Sequence, residues 1–256
     1  MTIHFVGAGP GAADLLTVRA TDLLAGADVV LYPGTYLDHA VLSYCRPGAE
    51  LIDTQDLTLD AMVDLQVSHS RAGRAVIRLT SGDPSLYSAL TEQTRRLDEA
   101  GVTWDVCPGV PAYAAAAALV GSELTVPLVA QSVVLTRTQA RSTQMPPTET
   151  LAAYAATRAT LVLHLGITRI RELMAEVEEH YGDDCPVVVV YRASQPGEQV
   201  LRGTVATISG QVEAAELTQA AIILVGRALE RGGGESYLYA ASRDRRSQGA
   251  AARTTP

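Results

Sequence analysis

Two hydrophobic periods alternate along this chain. Short apolar, β-branched runs at 3–6, 29–32, 51–53, 75–80 and 103–106 predict strands. Between them, 15–24, 36–44, 57–71 and 86–100 repeat apolar residues every three or four positions and predict helices. Pro111 opens one more helix, running to about Val120, whose alanines at 114–118 allow close packing on its sheet. This order predicts an open, mostly parallel sheet with helices on both faces.

The texture changes after Gly121. Strands are expected at 133–136, 161–165, 187–191, 200–205 and 221–225, with helices near 148–156, 169–180 and 211–217. Arg202-Gly203-Thr204 carries little helical signal, so a hairpin and a mixed sheet fit this half. The expectation is α/β with two domains, 1–121 and 122–242, and an active-site cleft between them. The polar, small-residue tail 243–256 is expected to be disordered.

Apolar residues make up 47% of the 256, enough for two ordinary cores, and no run approaches the length of a membrane span. The N-terminus lacks a basic region followed by an apolar core, which predicts no signal peptide and a cytoplasmic protein. Cys45, Cys107 and Cys185 are far apart in sequence and read as buried small hydrophobes, with no metal site expected. A net charge of −8 argues against nucleic acid and anionic membranes as partners. Every basic residue is arginine, which excludes a catalytic lysine and Schiff-base chemistry.

Candidate chemistry sits where strands hand over to helices. Gly7-Ala8-Gly9-Pro10-Gly11 follows the first strand and has the glycine spacing of a dinucleotide-binding turn. That reading needs a carboxylate after the second strand, yet Asp28 precedes it and Tyr32-Pro33-Gly34 follows. Pro10 also removes an N–H that a pyrophosphate would use. Asp14 is expected to cap the helix after this turn. In Ser81-Gly82-Asp83-Pro84, Gly82 allows close approach of a ligand to backbone and Pro84 suits a helix first turn. Asp83 is equally a helix cap or a ligand contact. Cys107-Pro108-Gly109-Val110-Pro111-Ala112 is the third junction, and three such junctions point to one shared cleft.

These motifs, in order, resemble the signatures of the tetrapyrrole (corrin/porphyrin) methylases. Gly7-Ala8-Gly9-Pro10-Gly11 with Asp14-Leu15-Leu16-Thr17, then Ser81-Gly82-Asp83-Pro84, then Pro108-Gly109-Val110-Pro111-Ala112 carry the likeness. Thr160-Leu161-Val162-Leu163-His164-Leu165-Gly166, Tyr191-Arg192-Ala193-Ser194 and Gly203-Thr204-Val205 extend it into the second half. Within the family, Glu123-Leu124-Thr125-Val126-Pro127 and Gln131-Ser132-Val133-Val134-Leu135-Thr136-Arg137 resemble the branch that methylates carbon 11 of precorrin-4 in cobalamin synthesis. Gln195 and Gly197 depart from that branch, where an aromatic residue and an acid are expected, and Pro111 replaces a small hydroxyl residue.

The resemblance implies S-adenosylmethionine (SAM) as methyl donor, a tetrapyrrole (precorrin) substrate and a homodimer. Carried over by motif, Pro10 would line the floor of the donor site, with Ser81, Gly82 and Asp83 on its ribose and amino-acid side. Leu86, Pro111, Ala112, Leu165 and Ala193 would contact adenine or the methionine portion. The substrate's carboxylates would suit Arg137 and Arg141, and its macrocycle Tyr32 and Tyr113. His164, in an apolar strand, reads as structural. Methyl transfer to another ring carbon, a nicotinamide-dependent oxidoreductase and a non-catalytic corrinoid-binding protein are the alternatives.

Overall fold

The computed structural model describes residues 1–34, 37–138, 144–230, 232–233 and 236. Its first sheet has five parallel strands: β1 (Ile3–Gly7), β2 (Val29–Tyr32), β3 (Glu50–Asp53), β4 (Val76–Thr80) and β5 (Trp104–Cys107), in the order β3-β2-β4-β1-β5. Side chains alternate between faces along each strand, so each face collects its own core. On one face Val6, Val30, Ile77 and Leu79 meet Ala20 and Leu24 of α1 (Val18–Gly26). On the other, Ile3, Phe5, Val29, Leu31 and Val76 meet Val63 of α2 (Leu59–Arg71) and Leu97 of α3 (Leu90–Glu99). Buried large apolar side chains such as Phe5, Leu31 and Leu97 each contribute about 1.5–3 kcal/mol. Both covered faces explain why the strands read as continuous apolar runs.

The chain crosses to a second sheet after α4 (Ala112–Val120), where Gly121 ends the helix at φ 66°. That sheet holds β6 (Val133–Arg137), β7 (Thr160–His164), β8 (Pro186–Tyr191), β9 (Gln199–Thr204) and β10 (Ala221–Val225), ordered β6-β7-β10-β8-β9. β6 and β7 are parallel, whereas β10 runs antiparallel to β7 and β8, and β8–β9 is a hairpin. The sheet is mixed, as its sequence suggested. Helices α5 (Leu151–Ala155), α6 (Ile170–Tyr181) and α7 (Ile208–Ala214) cover one face through Leu151, Leu173, Val177 and Val212.

α4 covers the other face of the second sheet. Its buried Ala115 and Ala116 lie with Val162, Val188, Val190, Ile222 and Leu224. The alanines do permit close packing, but against the sheet that follows the helix in sequence.

Four local expectations change. Residues 39–44 form a 3-10 helix, His39–Tyr44, in place of a longer α-helix, because Asp38 accepts from Ala40 N–H and sets a tight start. α3 begins at Leu90, because Tyr87 and Ala89 hold φ of 53° and 56° and break any helix begun at Leu86. Pro84 therefore lies in a turn. Thr17, whose hydroxyl accepts from Ala20 N–H at 3.1 Å, caps α1, while Asp14 falls in a separate 3-10 turn, Ala13–Leu15. The expected disordered tail, 243–256, lies outside the described residues. Among the described residues no helix is long and apolar enough to cross a membrane.

Candidate active site

Three strand ends of the first sheet fuse into one backbone platform. Ala8 N–H donates to Thr80 C=O at 2.8 Å, and Gly9 and Gly82 exchange N–H···O bonds of 3.1 and 2.8 Å. Side chains are excluded where these backbones meet. A Cβ on Gly7 would lie 2.5 Å from Gly109 N, and one on Gly109 would lie 2.3 Å from Gly82 O. Gly7 and Gly109 thus serve backbone-to-backbone packing, whereas the glycine spacing at 7–11 first suggests a dinucleotide-binding turn. Gly82, at φ 68°, needs its glycine for conformation.

Asp83 ties the platform together. Its Oδ2 accepts from Gly109 N–H at 2.7 Å, while Oδ1 accepts from Ser85 N–H at 2.8 Å and from the Ser85 hydroxyl. Burial works to raise the pKa of this carboxyl, but the bonds from Ser85 and Gly109 outweigh it and hold it below the usual range. Asp83 is therefore a brace between two junctions, not a helix cap. A carboxylate has about four acceptor sites, so one remains on the Oδ2 side.

The second sheet faces this platform through the ends of β7 and β8 and the start of β10, which its antiparallel direction brings to the same place. Leu165 follows β7 at φ 55°, and Arg192 and Ser194 follow β8 at 48° and 63°. Two hydrogen bonds close the gap between the sheets. Ala12 N–H donates to Ser194 Oγ at 3.1 Å, and Gln195 Nε2 donates to Pro10 C=O at 2.6 Å. Gly11 must lack a side chain here, since its Cβ would stand 2.0 Å from Gln195 Cγ.

Between the sheets lies a cleft of about 400 Å³, within the range of small-molecule sites. All nine residues nominated for the methyl donor line it: Pro10, Ser81, Gly82, Asp83, Leu86, Pro111, Ala112, Leu165 and Ala193. Of the residues nominated for the substrate, Tyr32, Tyr113 and Arg137 are not among those lining it, although Arg137 stands near enough to Tyr87 on its rim to interact electrostatically. Tyr32 packs with the core between the first sheet and α1, edge-on to His39, and Tyr113 packs against the cluster under α4. Arg137 ends β6 in register with His164. Arg141 lies outside the described residues.

Several lining residues escaped the sequence reading. Tyr87, half exposed on its left-handed backbone, lies over His164 with ring centroids 5.3 Å apart. His164 is 8% exposed, its Nε2 has no hydrogen-bond partner, and burial lowers its pKa to about 4, so it is neutral at pH 7. Arg192 and Gln195 lay inside a motif already noted, where their types could have signalled them. Thr218 and Gln219 had no signal, because only the antiparallel entry of β10 brings them to the cleft.

The dinucleotide alternative loses further ground. Asp28 sits at the amino end of β2, away from the cleft, where it accepts from Ala75 N–H at 2.7 Å and pairs with Arg46. Asp53, at the carboxyl end of β3, accepts from Gly34 N–H at 3.1 Å and Gln55 N–H at 2.9 Å.

Residues 2–209 match the family described as Tetrapyrrole (Corrin/Porphyrin) Methylases. This chain belongs to that family. A precorrin-4 C(11)-methyltransferase of Rhodococcus erythropolis is 52% identical over 246 residues, covering 96% of this chain and 99% of the relative. Among solved structures, a cobalt precorrin-4 methyltransferase superposes with a TM-score of 0.87 at 37% identity, covering 90% of this chain and 96% of its own. A uroporphyrin-III C-methyltransferase from Thermus thermophilus, complexed with S-adenosylhomocysteine, superposes at 0.76 with 28% identity, covering 90% and 99%. The tetrapyrrole methylase fold thus accounts for both sheets and the cleft.

Proposed function

We propose that this tetrapyrrole methylase transfers a methyl group from SAM to carbon 11 of precorrin-4 in cobalamin biosynthesis. One observation carries the proposal: five separated motifs, read as a donor site from sequence, converge on a single cleft of about 400 Å³. The relative at 52% identity, named for that reaction, supports the choice of carbon.

The residues present fit the donor. Pro111, Ala112, Leu86 and Ile222 supply apolar walls suited to adenine, and Ser81 and Asp83 supply polar groups suited to ribose hydroxyls. Pro10 offers no N–H, and SAM has no phosphate that would need one. Bound SAM supplies an electrophilic methyl on a sulfonium. The ring carbon of the substrate is itself electron-rich, so the protein needs no activated serine or cysteine. Its residues must align the reactants and keep water out. The braced platform of Gly7, Gly82, Asp83 and Gly109 provides rigid alignment, and the Gln195–Pro10 bond fixes the width of the cleft.

The macrocycle would rest on the exposed rim formed by Tyr87 and Leu165, with Tyr32 and Tyr113 as further contacts. Arg137 and Arg141 would meet its carboxylates. We place the domain boundary at Gly121, dividing 1–121 from 122–242, and read the enzyme as a cytoplasmic homodimer. Incubation with methyl-labelled SAM and precorrin-4, followed by NMR of the product, should locate label on carbon 11. Label on another ring carbon would move the chain to a different branch, and no transfer at all would end the methylase reading.

A further inference from the structure

Several arginines of this chain are paired with carboxylates, and Arg192 is not among them. Arg46, Arg74, Arg96, Arg171 and Arg227 each meet a carboxylate at the surface. Arg192 lines the cleft, and among the described residues no carboxylate pairs with it. Its backbone is fixed: the residue holds φ 48°, its N–H donates to Ala220 C=O at 2.8 Å, and its C=O accepts from Gln195 N–H at 2.9 Å. A non-glycine residue kept in that region costs of order 1 kcal/mol, and such strain concentrates at ligand sites.

The side chain is oriented by a neutral group. Arg192 Nε donates to Gln195 Oε1 at 3.5 Å, a long bond, while Gln195 Nε2 donates to Pro10 C=O at 2.6 Å. Both contacts demand the same orientation of the amide, since turning it over would set NH₂ against guanidinium and oxygen against carbonyl. Gln195 therefore links the floor of the cleft to the guanidinium without cancelling its charge. A glutamate in that position would neutralise it.

We propose that Arg192 is the carboxylate-binding residue of the cleft, with Gln195 as the positioning residue that presents its guanidinium with the charge intact. The proposal rests on the methylase reading for the ligand's identity. Two sources offer the same chemistry: the α-carboxylate of the methyl donor and an acetate or propionate arm of the tetrapyrrole. A planar, permanently charged fork suits either one.

Calorimetry on the full chain separates the sources. The probes are S-adenosylhomocysteine and 5′-methylthioadenosine, a nucleoside thioether without the carboxylate, with KM for the tetrapyrrole measured alongside. If the donor carboxylate is the partner, Arg192→Gln should weaken S-adenosylhomocysteine by about tenfold or more and leave methylthioadenosine unchanged. If a substrate arm is the partner, KM for the tetrapyrrole should rise by about as much, with both nucleosides binding as in wild type. Arg192→Lys should recover part of the loss in either case. Gln195→Glu, which keeps the length of the side chain but adds a negative charge beside Arg192, should reproduce it.

Equal weakening of all three ligands, or a drop in thermal midpoint that Arg192→Lys shares, would mean that Arg192 only shapes the loop and would overturn the proposal. So would an Arg192→Gln protein that bound everything as tightly as wild type, and that result would leave the methylase reading standing. A wild-type protein that bound neither S-adenosylhomocysteine nor tetrapyrrole would remove the methylase reading and this proposal with it.

Discussion

The carboxylate of Asp83 reaches across the cleft floor to the backbone N–H of Gly109, 2.7 Å away, and so joins the junction after β4 to the junction after β5. Ser85 satisfies its other oxygen. Asp83→Asn would turn an acceptor into a donor on one side and set NH₂ against an N–H. We expect it to cost nearly as much stability as Asp83→Ala, about 1–3 kcal/mol in urea denaturation. The wild-type contribution should be intact above pH 3.8, the unfolded value, and disappear as pH falls through the lower folded value. Asn and Ala variants as stable as wild type would show that the brace is dispensable.

Two glycines should respond oppositely to alanine. At Gly7 the new Cβ would meet Gly109 N at 2.5 Å and Gly82 O at 2.8 Å, both backbone atoms that cannot turn aside. Gly7→Ala should therefore cost at least about 3 kcal/mol, the upper range for overpacking. Gly210 lies within α7, where nothing stands within 4 Å of an added Cβ. Gly210→Ala should stabilise by about 0.5–1 kcal/mol through helix propensity. Thermal midpoints of the two single variants decide the matter.

Gly11 and Gln195 should behave as a coupled pair. Gly11→Ala sets a methyl 2.0 Å from Gln195 Cγ, on a backbone at φ 152° that L residues rarely adopt. In the background of Gln195→Ala the steric part of that cost vanishes and only the backbone part remains. A double-mutant cycle should return a coupling of about 0.5–3 kcal/mol, with the double variant more stable than additivity allows. Additive costs would mean that the loop moves away from Gln195 freely.

Much of this architecture was legible because strands buried on both faces leave unbroken apolar runs, and the two sheets followed from 3–6, 29–32 and their successors. Element starts were harder to read. Thr17 caps α1 in place of Asp14, and α3 waits until Leu90 because Tyr87 and Ala89 turn left-handed, which their side chains do not announce. The motif residues of the cleft were legible as a set, but their division of labour was not. Gly7 has the spacing of a ligand-binding turn in sequence, whereas its crowding is against the backbone of Gly109, more than a hundred residues away in the chain. α4 gave no sign of which sheet it would cover, since alanines fit either. Arg192 and Gln195 gained meaning only once the loop after β8 was seen against Pro10.

His164 makes stability depend on pH in a direction that can be worked out. Burial lowers its pKa from 6.5 to about 4, and the ring, 8% exposed, has no hydrogen-bond partner at Nε2. Tyr87 lies on it, and Arg137 is its register neighbour. Between pH 6.5 and 4 the unfolded chain carries a proton at this position that the folded protein does not. Protons therefore favour unfolding in that window. Stability should be constant in this contribution above pH 6.5 and fall by up to about 1.4 kcal/mol per pH unit below it. The loss should level off below pH 4. Urea midpoints at pH 7.5 and 5.5 avoid most carboxylate titration, so the difference between them reports the five histidines, and comparison with a His164 variant assigns the share of this one. His164→Leu should shrink that difference while keeping the fold, because the residue is buried at the end of an apolar strand whose preceding members include Leu161, Val162 and Leu163. A difference as large in the variant as in wild type would mean that the imidazole reaches water on protonation, and its burial would then contribute nothing to the pH profile.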